Sequence, residues 1–239
     1  MHVFANPARF LRLARPLTPI LGWSGALLLA LSLYVGVFEA PPERYQGESV
    51  RILYVHVPAA WLAMGGWTGI ALASLAQLVW RHPLAAVAAR AIALPGAVFC
   101  AVCLVTGSLW GRPTWGTYWQ WDGRMSSMLV LLFLYVGYIA LASAEREKGG
   151  EGRLSAIFGL VGAINIPIIR FSVEWWESLH QKASISLLEG RVSIAPAMFW
   201  PLLGAAAGFS LLFGAVVLMR MRAALASQKV EARMRRLAA

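Results

Sequence analysis

This sequence is short of charge. Only 13% of its residues are Asp, Glu, Lys or Arg, against about 25% in soluble domains. Over 239 residues that is too little to cover a water-facing surface, and 59% of the chain is hydrophobic, against about 45–50%. The balance points to burial in lipid. Cysteine is nearly missing as well. Cys100 and Cys103 are the only two, which excludes a disulfide scaffold. Their C-x-x-C spacing would attach a haem covalently only if a histidine came next, and Leu104 comes next. Inside an uncharged stretch they are expected to be small packing residues. There is no Walker A motif, so any use of ATP must come from a partner. No other acid–base or nucleophile constellation is present. The net charge of +10 does not make a nucleic-acid surface, because the charges sit in short loops between long apolar runs and form no basic face. No repeat, linker or composition shift divides the chain, so residues 1–239 are expected to form one integral membrane domain.

What is there instead is a series of uncharged runs. About 20 apolar residues cross a bilayer as a helix. Leu17–Phe38, Val57–Trp80, Ala91–Leu109, Met125–Ala144 and Ala197–Met219 carry no charge. Leu154–Ile169 is clean but short, bracketed by Arg153 and Arg170, whose side chains can snorkel to the interfaces. Asn165 and Pro167 interrupt its end. The fold class expected is all-α, a polytopic bundle of six transmembrane helices. The first run follows Arg9, Arg12 and Arg15 as a signal sequence would, but it is too long and no small-x-small cleavage site follows it.

Lysines and arginines fix the expected orientation. Fourteen lie in the N-terminal tail, the second and fourth loops and the C-terminal tail, and seven lie opposite. Glu39, Glu43, Glu48, Asp122, Glu174, Glu177 and Glu189 all lie on the less basic side. Both termini are therefore expected in the cytoplasm, with loops one, three and five in the periplasm of a bacterial inner membrane.

The chemistry gathers on that periplasmic side. The third loop, Trp110 to Arg124, holds four tryptophans and a tyrosine. An aromatic belt would scatter such residues over all span ends; here they share one loop with glycines that let the backbone approach a flat partner. Trp115, Trp119 and Asp122 follow an i, i+4, i+7 interval and would share one face of a helical turn. A shelf of indoles flanked by Arg112 and Arg124 suits a large planar ligand with anionic edges. Of four histidines, His2 and His82 fall in a cytoplasmic tail and a short loop and read as surface residues. His56 stands two residues before Pro58, and proline favours the first turn of a helix, so His56 is expected at or just before a helix start. His180 falls in Glu174–Gln181, which reads as a short interfacial helix with Trp176 and His180 on one face and Trp175 as its anchor. Two histidines at one membrane level, on either side of a tryptophan-rich loop, are what bis-imidazole ligation of a haem iron needs.

Trp115-Gly116 through Trp119-Gln120-Trp121-Asp122-Gly123-Arg124-Met125-Ser126-Ser127 resembles the "WWD" signature of the haem-handling membrane proteins, and its ending resembles that of the haem exporter protein C (CcmC) family. Tyr118 stands where that family often has tryptophan, Gly123 where it has alanine, Met125 for leucine and Ser126 for threonine. Tyr54-Val55-His56-Val57-Pro58-Ala59-Ala60-Trp61 resembles the family's first ligand segment, and Ser172 to Gln181 its second. The resemblance covers nearly the whole chain. It implies a subunit that binds haem b transiently at the outer face and loads the haem chaperone CcmE, in a complex with CcmA, CcmB and CcmD. It further implies His56 and His180 as axial ligands of the haem iron, Trp115, Trp119, Trp121 and Asp122 as the platform, and Arg124 at the haem edge. On this reading the protein is not an enzyme.

Two other readings compete. A cytochrome c haem lyase of the wider group follows its Trp-Asp with a Pro-x-Glu ending and has more spans and histidines; Gly123-Arg124-Met125-Ser126-Ser127 stands here instead. A transmembrane cytochrome b needs histidine pairs inside the bundle, and no span holds a histidine away from its mouth.

Overall fold

The computed structural model describes residues 6–150, 152–180, 185–186 and 190–238. His2, Gln181, Lys182 and Glu189 lie outside the described residues. Among the described residues, seven α-helices account for almost all regular structure: α1 Pro7–Tyr34, α2 Leu53–Trp80, α3 Ala85–Trp115, α4 Gly123–Glu147, α5 Arg153–Gly162, α6 Asn165–Trp175 and α7 Pro196–Ala238. A π-helical turn, Val35–Glu39, extends α1, and a 3₁₀ turn, Glu48–Ile52, leads into α2. Between α6 and α7 lies an antiparallel ribbon of two residues a side, β1 Ile185–Ser186 and β2 Arg191–Val192. Among the described residues, six helical segments are long and apolar enough to cross a membrane: Pro7–Glu39, Glu48–Trp80, Ala85–Trp115, Gly123–Glu147, Arg153–Trp175 and Pro196–Leu237. The protein is an all-α polytopic membrane protein, as the uncharged runs imply.

Each span is longer than its uncharged run, because helices continue through the interface where charged residues are tolerated. α1 starts at a local signal, Asn6, whose Oδ1 accepts the N–H of Ala8 at 2.8 Å, with Pro7 in the first turn. The fifth span differs most from expectation. It is two helices, α5 and α6, joined at Ala163–Ile164 and continuing to Trp175. Arg170 therefore sits within α6, paired with Glu174 at 3.5 Å, and does not mark the span's mouth. Asn165 spends its polar side chain on the join, donating from Nδ2 to the Ser127 carbonyl of α4 at 2.9 Å.

Two packing units build the bundle. α1 and α7 cross closely on small residues: a Cβ at Gly208 would lie 2.8 Å from the Leu29 backbone nitrogen, an approach that lipid-embedded helices exploit because packing replaces the hydrophobic drive. α2, α3, α4 and α5 share the main core around Trp67, which is fully buried. Its Nε1 donates to the Gly159 carbonyl at 3.1 Å, and its ring meets Tyr135 edge-on at 4.9 Å. The Tyr135 hydroxyl donates to the Ala63 carbonyl at 2.7 Å. The polar groups of Trp67 and Tyr135 thus find partners inside this lipid-depth cluster, where water could not supply one. Cys100 and Cys103 are buried free thiols of α3 in the same core.

Candidate functional site

The site is built around the end of α3. Helix α3 outlasts its uncharged run and stops at Trp115, where Gly116 takes the left-handed conformation (φ 80°) that only glycine adopts without strain. Residues 117–122 are non-helical, and Asp122 caps α4 by accepting the Met125 N–H on Oδ1 at 2.8 Å. Trp115, Trp119 and Asp122 thus share no helical face: Trp115 belongs to α3, Trp119 to the connection and Asp122 to the next helix. The glycine ends the helix before the i, i+4 interval can operate.

His56 is not at a helix start either. The 3₁₀ turn and the first residues of α2 precede it, so it lies one turn inside, with the buried Pro58 further in. Its imidazole rests on α3. Nδ1 lies 3.1 Å from the Cys103 carbonyl and 3.1 Å from Thr106 Oγ1. The Thr106 hydroxyl proton is directed at the Val102 carbonyl, 2.7 Å away, so its oxygen accepts. Both partners accept, which fixes the proton on Nδ1 and leaves Nε2 with a lone pair. Gly107 makes room: a Cβ there would lie 2.9 Å from His56 Cε1. Trp110 closes the seat edge-on at 5.6 Å between ring centres and is itself held by Nε1 donating to Gln46 at 2.9 Å. Cys103, Thr106, Gly107 and Trp110 follow i, i+3, i+4, i+7 on α3. That periodicity was in the sequence, and it would have identified Thr106, Gly107 and Trp110 as a seat.

His180 reaches the same region from the fifth loop. α6 ends at Trp175, and Trp176 is extended (φ −129°, ψ 155°), so the expected interfacial helix is absent and Trp176 and His180 share no face. What replaces it is a set of bonds to Asp122. His180 Nδ1 lies 2.7 Å from Asp122 Oδ2, and the Ser178 hydroxyl donates to the same oxygen at 2.5 Å. The His180 N–H also donates to Ser178 Oγ at 3.1 Å. Ser178 had no distinguishing signal in the sequence. Burial pushes the His180 imidazole down from its ordinary value, and the bond to Asp122 offsets only part of that. His180 Nδ1–H thus donates to the carboxylate, and nothing among the described residues bonds Nε2. For Asp122, burial alone would push the carboxyl up; the hydrogen bonds from Ser178, the Met125 N–H and His180 outweigh it and hold the group below the usual carboxylate range. The ring of Trp115 lies 4.7 Å from that of His180.

The other expected residues divide. Trp119 is half-buried, lies 5.3 Å edge-on from the exposed Trp121, and carries a buried indole N–H without an acceptor among the described residues. Arg112 is spent within the loop, donating to the Gly116 carbonyl at 2.7 Å and lying 5.7 Å over the Tyr118 ring. Arg124 is different. Half-buried in the first turn of α4, it makes no ion pair or hydrogen bond with the described residues, although Asp122 is two positions away; both carboxylate oxygens of Asp122 are already taken. The His56 and His180 imidazoles and the Arg124 guanidinium lie within electrostatic range of one another.

Chemically, these are two imidazoles, each with Nδ1 facing an acceptor in the protein and Nε2 without a hydrogen-bond partner among the described residues, the arrangement usual for a histidine that ligates a metal. Among the described residues no group of three or more His, Cys, Asp and Glu side chains could hold a bare metal ion. Two imidazoles suffice only for a metal that brings its other ligands with it, as haem iron does.

Comparison with known proteins bears on the same point. The family described as Heme exporter protein C (CcmC) matches residues 1–236. A Heme exporter protein C of Bradyrhizobium diazoefficiens is 49% identical over 218 residues, covering 91% of this chain and 82% of its own length. That of Escherichia coli K12 is 44% identical over 222 residues, covering 93% and 89%. That of Paracoccus denitrificans is 38% identical over 239 residues, covering 99% and 95%.

Proposed function

The chain belongs to the heme exporter protein C family, and from that membership we propose that it holds haem b transiently at the periplasmic face of the bacterial inner membrane and passes it to the haem chaperone CcmE during c-type cytochrome maturation, working in a complex with CcmA, CcmB and CcmD. The observation that carries this reading is the matched state of His56 and His180. Each keeps Nδ1 engaged by an acceptor, so His56 and His180 would each offer Nε2 to the iron of a bound haem. Bound haem supplies the redox-active iron and two propionates. The protein's part is to bind, orient and let go, without turnover chemistry.

Roles follow from the geometry. Trp115, against His180, and Trp119 with Trp121 would line the ring. Arg124 would take a propionate, since its planar fork grips a carboxylate by two hydrogen bonds and it has no protein partner among the described residues. Asp122 would act through His180 and not on the haem itself. The distribution of lysine and arginine supports the orientation, with both termini cytoplasmic and the haem site outside.

The test is ligand replacement. His56→Gly and His180→Gly, purified separately, should each lose the low-spin six-coordinate spectrum and regain it with free imidazole. A native low-spin spectrum in both variants without imidazole would remove the pair as ligands.

A further inference from the structure

Past Leu225, helix α7 leaves the bundle. Met221 and Leu225 are buried against Leu84, Val87 and Ala91, beside the turn between α2 and α3. The next rungs of that seam are Gln228 and Lys229, which cannot continue it. Residues 226–237 are all exposed yet still helical, a free rod of about 18 Å at 1.5 Å per residue. This is the end of the bundle opposite the histidines, since His56 is near the start of α2 and Leu84 follows its far end.

The rod is patterned. Val230, Met234 and Leu237 are 62%, 63% and 74% exposed and follow i, i+4, i+7 in one apolar row. Lys229, Arg233 and Arg236 follow the same interval one residue earlier, so a basic row runs beside the apolar one. Glu231 lies on the other side, paired with the Ser227 hydroxyl at 2.9 Å. Cations in the last turn complement the helix dipole, which accounts for Arg235 and Arg236. It does not account for Lys229, Arg233 or the apolar row. The bilayer does not account for them either. Interfacial helices lie in the membrane plane, whereas α7 is unbroken from Pro196 and the rod departs along the direction in which α7 crosses.

We propose that the free end of α7 is a docking helix for a soluble partner at this face of the membrane, one that offers an apolar groove rimmed by carboxylates. Helix-in-groove recognition uses anchors at this interval, and the basic row meets the acidic rim to set register. The compartment of that partner rests on the orientation proposed above; the docking surface does not.

Met234→Cys gives a single reactive thiol, because Cys100 and Cys103 are buried. Spin-labelled there, the protein alone in nanodiscs containing anionic lipid should give a mobile spectrum, with collisions with an aqueous nickel chelate outweighing those with oxygen. Assembly with the other subunits of its export complex should remove the mobile component. Arg233→Glu combined with Arg236→Glu should restore it and weaken assembly about tenfold or more, a change of the order of one lost charge pairing, at unchanged haem content, which shows the variant folded. Oxygen-dominated collisions in the isolated protein would mean the rod lies on lipid. Label–label broadening there would mean a second copy covers it. Either result overturns the proposal, as does an unchanged spectrum in the assembled complex. An impermeant thiol reagent separates the two readings: reaction at this cysteine in sealed cells overturns the orientation and leaves the docking result standing.

Discussion

His180 Nδ1 lies 2.7 Å from Oδ2 of Asp122, a residue 58 positions earlier in the chain. That contact joins the fifth loop to the start of α4, and it makes one carboxylate responsible both for a helix cap and for the tautomer of a candidate ligand.

Asp122→Asn keeps an acceptor for Met125 but removes the charge that His180 and Ser178 share. Loss of such an outer-shell partner costs on the order of 10–100-fold in metal affinity. Haem titration of the variant should give that loss while circular dichroism stays helical. Wild-type affinity would mean that Asp122 only caps α4.

Gly107→Ala places a methyl 2.9 Å from His56 Cε1, and the imidazole must turn away from Thr106 and the Cys103 carbonyl. Overpacking of this kind costs about 1–3 kcal/mol. The visible spectrum should shift toward five-coordinate iron, with membrane insertion intact. A spectrum identical to wild type would show that the ring has slack and the seat is not specific.

Arg124→Lys retains the charge and loses the fork. Haem content per folded protein should fall if the guanidinium holds a propionate, whereas an interface anchor would tolerate lysine. Full haem content in this variant removes Arg124 from the site.

Acidification should open the site. The native values of His180 and Asp122 both lie below their ordinary ones, so the unfolded or undocked loop binds more protons and docking strengthens as pH rises. The His180 contribution is complete above about pH 6.5 and is lost as pH falls through its lower native value; the Asp122 contribution begins to fail only below about pH 3.9. Haem retention followed from pH 8 downward should hold at neutral pH and decline on the acid side of the ordinary imidazole range. Retention that is flat to pH 4, or that rises on acidification, contradicts the assignment.

The six spans were legible because lipid imposes a crude demand, about 20 residues without charge, and the runs from Leu17 to Met219 meet it one after another. Span ends were not legible. Beyond the hydrocarbon nothing penalises a charged residue in a helix, so α3 continues to Trp115 and α6 to Trp175. The histidines and tryptophans stand out in the sequence as types, since few residue kinds are able to ligate iron or stack on a porphyrin, and their role toward haem belongs to the proposed function. Their local structure was misread for one reason. Spacings of i, i+4 describe neighbours on a helix, and both the Trp115–Asp122 and Trp176–His180 intervals cross a helix end. Gly116 stops the first, and the pull of Asp122 on Ser178 and His180 straightens the second. Hydrogen bonds between residues more than 50 positions apart leave no periodic trace.

The two candidate ligands are mounted differently. His56 stands on α2 and leans on α3, two helices locked into the main core. His180 stands on irregular chain, pinned by its own bond to Asp122 and by those of Ser178. Intramolecular hydrogen bonds of this kind are worth about 0.5–1.5 kcal/mol each, somewhat more when one partner is charged. One imidazole is therefore set in the bundle and the other is held by a few side-chain bonds. Breaking those bonds costs a few kcal/mol, far less than disturbing the helices, so under the proposed function a haem held between the two would be released from the loop side while the helices stay in place.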